Sequence, residues 1–172
     1  MLLDLSRFRG DVDHLDRRYE PEAFQLAGEE FRLIAPAHLV ADLRRDARKV
    51  RLEGRLTATL ELPCSRCLEA FEVPVDVAFD NVFLPASENT REGELEVAES
   101  DLGLSFYRDD VIDLGEVMRE QFFLALPMKP LCRESCQGLC PVCGVNRNRE
   151  TCGAHPEWVD PRLEPLRKLK GE

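Results

Sequence analysis

The sequence predicts an α+β fold: a small antiparallel β-sheet with a long β-hairpin and one packed helix, followed by a separate cysteine-rich C-terminal segment. Three observations lead there. Apolar residues recur with period two over Val50–Leu62 and again over Phe71–Phe79. One stretch after Asp113 carries apolar residues at helical spacing. After Pro130 the periodic apolar residues stop, and cysteines and glycines replace them. The reading is an α+β domain over 1–130, a cysteine-rich segment over 131–158 and a short tail over 159–172.

The elements follow in order. A short strand is expected at Glu30–Ile34. The stretch Ala37–Asp46 lacks Gly and Pro and reads as a helix. In the next segment Val50, Leu52, Leu56, Ala58, Leu60 and Leu62 point one way and Arg51, Glu53, Arg55, Thr57, Thr59 and Glu61 the other, the period of a half-buried strand. Phe71, Val73, Val75, Val77 and Phe79 repeat the pattern. Pro74 cannot donate to a ladder, which places this strand at an edge or a bulge. The two strands form a hairpin whose tip is Pro63-Cys64-Ser65-Arg66-Cys67-Leu68. Residues 85–103 are polar and acidic and read as a flexible loop. Asp113 then begins a helix as its cap, with Glu116 placed to bond back to the cap amide. Leu114, Val117, Met118, Phe122 and Ala125 form its core-facing stripe, and Pro127 ends it.

The chain has 172 residues and a formal net charge of −10. The acid is concentrated in residues 63–126, with 15 Asp and Glu against 4 Lys and Arg. Such a field repels phosphate, so RNA contact requires a local basic patch or a partner protein. Arg44, Arg45, Arg48 and Lys49, with Arg51 and Arg55 beyond them, make the densest basic run. That run is either an RNA- or partner-binding patch or a solvated face paired with Asp42, Asp46 and Glu53. Arg66 adds a cation between the tip thiols. The N-terminus has no apolar run long enough for a signal sequence, and no stretch approaches the ~20 apolar residues of a membrane helix. A cytoplasmic location is expected, where disulfides are disfavoured.

There clustered cysteines point to metal. The spacing is Cys64-x2-Cys67, then Cys132-x3-Cys136-x3-Cys140-x2-Cys143-x8-Cys152-x2-His155. Seven thiols and one imidazole fill two tetrahedral zinc sites. In Cys140-Pro141-Val142-Cys143-Gly144 the proline fixes one backbone angle and the glycine permits a left-handed turn after the second thiol, as a zinc knuckle requires. A zinc-bound C-terminal knuckle therefore completes the expected fold, with one or two zinc ions. Cys64 and Cys67 cap a hairpin rather than opening a helix, which argues against a redox pair. The preferred pairing joins Cys64 and Cys67 with Cys132 and Cys136, leaving Cys140, Cys143, Cys152 and His155 for the second site. The alternatives set Cys64 and Cys67 against Cys140 and Cys143, or confine metal to the C-terminal cluster. His14 and His38 read as ordinary surface or core residues.

The ordered motifs resemble the YceD family, also called large ribosomal RNA subunit accumulation proteins. They are Cys64-Ser-Arg-Cys-Leu68, an acidic loop, Ile112-Asp-Leu-Gly-Glu116, Glu120 through Pro127, and Leu131-Cys132 through Gly144 with Asn146 and Asn148 after it. The resemblance runs from about Glu30 to Cys152. It implies a role in synthesis, processing or stability of 23S ribosomal RNA in bacteria and plastids, and no catalytic activity. The implied partners are large-subunit ribosomal RNA or a basic ribosomal or processing protein. In many relatives another Cys stands near the place of His155. The residues agree on the absence of an active site: Asp109, Asp110 and Asp113 form the tightest acidic set, and no nucleophile–base or two-metal arrangement is readable. The alternatives are an RNA-processing or thiol-redox enzyme, or a zinc-responsive regulator of ribosome assembly.

Overall fold

The computed structural model describes residues 1–8, 10–24, 26, 30–88, 104–151, 153, 160 and 162–163. Two compact units emerge. The first comprises Met1–Leu62 and Glu72–Met128, and the second comprises Pro63–Phe71 and Lys129–Glu172. The hairpin tip thus groups with the cysteine-rich segment.

The first unit is mostly sheet. Its strands are β1 (Leu2–Asp4), β2 (Val12–Tyr19), β3 (Arg32–Leu33), β4 (Ala37–Asp46), β5 (Lys49–Pro63), β6 (Ala70–Pro85), β7 (Leu104–Tyr107) and β8 (Val111–Asp113), and one helix, α1 (Leu114–Ala125), follows. β5 and β6 run on into the second unit at their tip-side ends. The main sheet has the order β2-β4-β5-β6-β7, with β3 also on β5, while β1 and β8 form a separate antiparallel pair.

The hairpin strands stand where the alternation puts them. Val50, Leu52, Leu56, Leu60 and Leu62 are buried, and Val75, Phe79 and Phe83 are buried on β6. β7 pairs with β6 only at Val82–Pro85, so Pro74 lies on an outer edge among the described residues. The expected strand at Glu30–Ile34 is present as the shorter β3.

Two expectations are corrected. Ala37–Asp46 is a strand, not a helix: Ala37, Leu39, Ala41 and Leu43 are buried while the residues between them face outward. That is period two, and its full antiparallel pairing with both β2 and β5 overrides the helix propensity of Ala, Leu and Arg. The sheet is also not wholly antiparallel, because β6 and β7 are parallel. A parallel pair needs a crossover of a dozen or more residues, which residues 86–103 supply. Most of the expected acidic loop (89–103) lies outside the described residues.

β4 and β5 approach most closely at the Ala41–Gly54 pair. A Cβ at Gly54 would stand 2.4 Å from the Val40 carbonyl oxygen and 2.5 Å from the Ala41 Cβ. Only glycine fits there. The Asp113 side chain caps α1 by accepting from the Gly115 amide (2.8 Å), and the chain leaves the helix at Leu126, before Pro127. The helix buries Leu114, Val117, Met118, Gln121 and Phe122. Phe122 stacks at a tilt on Phe24 (5.6 Å between centroids) and edge-on to Phe31 (6.2 Å). No described helix is long and apolar enough to cross a membrane.

Candidate metal centre

The centre is built within the second unit, starting from the hairpin tip. The Cys64 amide donates to the Glu69 carbonyl (2.9 Å), and the Leu68 amide donates to the Cys64 carbonyl (2.9 Å). This tight closure requires a left-handed residue, and Leu68 takes it at φ 61°. Cys64 and Cys67 thereby face the same side. The Ser65 amide donates to the Pro130 carbonyl (2.8 Å), which brings in the chain just ahead of Cys132.

Arg66 then fixes the second pair of thiols. Its Nη1 donates to the carbonyls of Glu134 (3.1 Å) and Cys136 (2.8 Å). Its own carbonyl accepts from the Leu139 amide (3.1 Å). The close pass of the Arg66 backbone demands a residue without a side chain, and Gly138 provides it at φ 71°. Arg66, expected to face a partner, is thus also the clip that shapes the 132–139 loop.

The result is a cluster of four thiols. The Sγ atoms of Cys64, Cys67, Cys132 and Cys136 all lie within 4.8 Å of one another. Cys64 and Cys136 are 3.8 Å apart, as are Cys67 and Cys132. Four sulfurs bound at about 2.3 Å to one ion would form a tetrahedron with edges of about 3.8 Å, so the donor set fits a tetrahedral thiophilic ion. Disulfides, with sulfurs near 2.05 Å, are excluded at these separations. Cys64, Cys67 and Cys136 are buried and pack against Phe71 and Leu131.

The surroundings favour thiolate at Cys64 and Cys136 and oppose it at Cys67 and Cys132. Burial pushes the Cys64 thiol up, but hydrogen bonds from the backbone of Cys132, Cys67 and Arg66 outweigh it and bring its pKa down to about 6. Burial also raises Cys136, and the Asn148 side chain and the Gly138 amide bring it below the ordinary thiol value. Cys132 is pushed up to about 12, first by burial and then by its three neighbouring sulfurs. Cys64 is thus the thiol most readily offered to a cation as thiolate.

Asn148 is the residue that sequence reasoning missed as part of this site. Its Nδ2 donates to the Cys136 sulfur (3.3 Å) and to Asn146 Oδ1 (2.8 Å). Its Oδ1 accepts from the Gln137 amide (2.9 Å) and from Arg133 (2.8 Å). It therefore orients the Cys136 thiol and braces the loop that carries it. Its signal was present only as an asparagine at a fixed distance after the cysteine run.

Of the other proposed ligands, Cys140 and Cys143 sit on a knuckle turn. The Gly144 amide donates to the Cys140 carbonyl (2.9 Å), the Cys140 amide donates to the Val145 carbonyl (2.8 Å), and Gly144 is left-handed at φ 74°. They do not belong to the four-thiol set, which removes the pairing of Cys64 and Cys67 with Cys140 and Cys143. Cys152 and His155 lie outside the described residues.

The basic run divides, because the strand pleat sends successive residues to opposite faces. Arg44 faces the open side of the sheet, in a cleft with His14, Asp42, Glu53 and Asp80. Arg45 and Arg48 line a different cleft beside the β4–β5 turn, and Lys49 is exposed at the start of β5. Arg51 and Arg55 pair with Asp80 and Asp76 on β6, not with the acids neighbouring them in sequence. His14 and His38 make cross-strand pairs with Asp42 (2.8 Å) and Asp16 (2.7 Å).

A family model described as large ribosomal RNA subunit accumulation protein YceD matches residues 52–170. An uncharacterized protein of Mycobacterium tuberculosis is 34% identical over 122 residues, covering 71% of this chain and 56% of the relative. A chloroplastic YCED homolog 1 of Arabidopsis thaliana, named as a large ribosomal RNA subunit accumulation protein, is 25% identical over 78% of this chain and 49% of its own. The uncharacterized protein YlbN of Bacillus subtilis is 23% identical over 90% of this chain and 86% of its own. The chain thus spans about half the length of the mycobacterial and plant relatives. No solved structure matches. The match spans the hairpin, the helix and both cysteine groups, and on it this chain belongs to the YceD family.

Proposed function

We propose that this chain is a non-enzymatic, zinc-stabilised factor in the accumulation of large-subunit ribosomal RNA. It would act in 23S synthesis, processing or stability by binding that RNA or a ribosomal or processing protein. One observation carries the metal half of this reading: four thiols from two distant stretches of chain lie within 4.8 Å of one another, two of the separations at the edge length of a tetrahedral zinc–thiolate site. The family description supports the other half. Cys64, Cys67, Cys132 and Cys136 would hold the ion, and Cys140 and Cys143 are candidates for a second with Cys152 and His155. The chemistry an ion supplies in a closed thiolate set is cross-linking, since no ligand position is left for a substrate. This chain's residues do the rest: Arg66 and Asn148 hold the ligands in place, and the hairpin tip is presented as a rigid surface.

The test is depletion of the protein in its own cells, followed by complementation. Depletion should lower mature large-subunit ribosomal RNA relative to small-subunit RNA, and wild type but not Cys136→Ser should restore the ratio. An unchanged ratio on depletion contradicts the ribosomal reading. Full rescue by Cys136→Ser contradicts the need for the thiol cluster.

A further inference from the structure

We infer that the cleft between the β4–β5 and β7–β8 turns binds the sugar–phosphate backbone of RNA. This rests on the ribosomal reading above and deepens it by naming a contact surface in the first unit.

The β4–β5 turn is Ala47-Arg48, with Ala47 at φ 50°. The β7–β8 turn is Asp109-Asp110, closed by the Val111 amide donating to the Arg108 carbonyl (2.9 Å). Asp109 and Asp110 both take left-handed backbone, at φ 52° and 55°. Two successive non-glycine residues in that region are an expense that surrounding structure must hold in place. It does so here. The Leu5 amide donates to the Asp110 carbonyl (2.8 Å), and the buried Tyr107 hydroxyl donates to the Arg48 carbonyl (2.9 Å). Both turns are therefore fixed before any ligand arrives.

Between them lies a cleft of about 570 Å³ lined by Arg45, Arg48, Tyr107, Arg108, Asp109 and Asp110. Three arginines line it, in a chain whose net charge is −10. On the open face of the sheet Arg51 pairs with Asp80 and Arg55 with Asp76. In the cleft Arg45 and Arg108 differ from these pairs. Arg45 spends Nε and Nη1 on the carbonyls of Ala47 and Leu5 (both 3.4 Å), which fixes its direction and leaves its charge uncompensated by these contacts. Among the described residues Arg108 makes no ion pair. A planar fork of donors suits a phosphate oxygen pair.

The two aspartates decide which phosphate polymer. A pure polyanion would be repelled by them, whereas a ribose offers hydroxyl donors that carboxylates accept. Guanidinium to phosphate and carboxylate to 2′-hydroxyl is the pairing that RNA can satisfy and DNA cannot.

The experiment uses the full metal-loaded chain. Fluorescence anisotropy measures binding of a single-stranded oligoribonucleotide of mixed sequence, and of the matching oligodeoxyribonucleotide, across a salt series. The variants are Arg108→Glu alone, Arg48→Ala with Arg108→Glu, Asp109→Asn with Asp110→Asn, and Arg55→Gln on the other face as control. All are checked for wild-type circular dichroism and melting. The double arginine variant should weaken RNA binding at least tenfold and flatten the salt slope by about 1.4, at roughly 0.7 per lost single-strand phosphate contact. Arg108→Glu should weaken it in part, Arg55→Gln should leave it unchanged, and the aspartate variant should erase the preference for RNA over DNA. Unchanged binding in both arginine variants overturns the inference, as does failure of the wild type to bind RNA, which would direct the cleft toward a protein partner. If large-subunit RNA still falls on depletion in that event, the cleft assignment fails and the ribosomal reading stands. If RNA binding depends on the cleft but depletion changes nothing, the reverse holds.

Discussion

The sulfurs of Cys64 and Cys136, separated by 71 intervening positions in sequence, lie 3.8 Å apart, and Arg66 Nη1 holds the Cys136 carbonyl at 2.8 Å. The tip of a hairpin and a loop beyond a helix thus share one site. Because the second unit has few periodic apolar residues, such a cross-link would supply much of its folding free energy. Chelation should therefore expose the 129–149 segment to trypsin at Arg133 and Arg147 while the β-sheet circular dichroism signal persists. Limited proteolysis with and without chelator checks this. Equal protection in both conditions would show that the segment folds without metal.

Asn148 should matter out of proportion to its exposure. Asn148→Ala removes the donor to the Cys136 sulfur and the acceptor for Gln137 and Arg133. Loss of such an outer partner typically lowers metal affinity about 10–100-fold. Competition with a chromophoric chelator measures it. The melting temperature of the metal-saturated protein should fall less than in Cys136→Ser.

Gly54→Ala should destabilise the first unit by about 1–3 kcal/mol, because the new methyl meets strand backbone rather than a flexible side chain. Urea unfolding followed in the sheet signal reads this directly, and an unchanged midpoint would mean that β4 and β5 can separate at Ala41 at little cost.

The arginine–aspartate pairs on the open face give a weak pH dependence of known sign. Hydrogen bonds from Arg55 and Arg51 hold Asp76 and Asp80 below the ordinary carboxylate value of 3.8. A carboxylate whose folded pKa is depressed contributes stability above its unfolded pKa and loses it as pH falls through the folded value. The contribution should therefore be intact at neutral pH, begin to fall below about pH 4 and be gone once the pH is below the folded value. In Asp76→Asn with Asp80→Asn the wild-type advantage should be small, as for exposed pairs, and should vanish in that acid window.

The long hairpin was legible because its strands are half-buried along most of their length. Val50–Leu62 shows its period in the letters alone. Ala37–Asp46 has the same period, with Ala37, Leu39, Ala41 and Leu43 inward. Its letters also suit a helix, because Ala, Leu and Arg are good helix formers and no Gly or Pro interrupts them. β2 escaped notice because Leu15 is its only fully buried residue, so an edge strand left almost no pattern. The parallel β6–β7 pair is invisible locally, since its partners stand on either side of residues 86–103. In the centre, cysteine spacing leads to the grouping of Cys64 and Cys67 with Cys132 and Cys136 that the fold brings together. The roles of Arg66 and Asn148 depend on loop closure at Leu68 and Gly138, where backbone conformation, not composition, sets the geometry.

The central claim is that the hairpin tip and the loop after α1 close one metal site together. Native mass spectrometry of freshly purified wild type and Cys64→Ser tests it most directly. The account predicts that the variant holds one zinc ion fewer than wild type. The same number of ions in both proteins would contradict it and confine metal to the C-terminal cysteines.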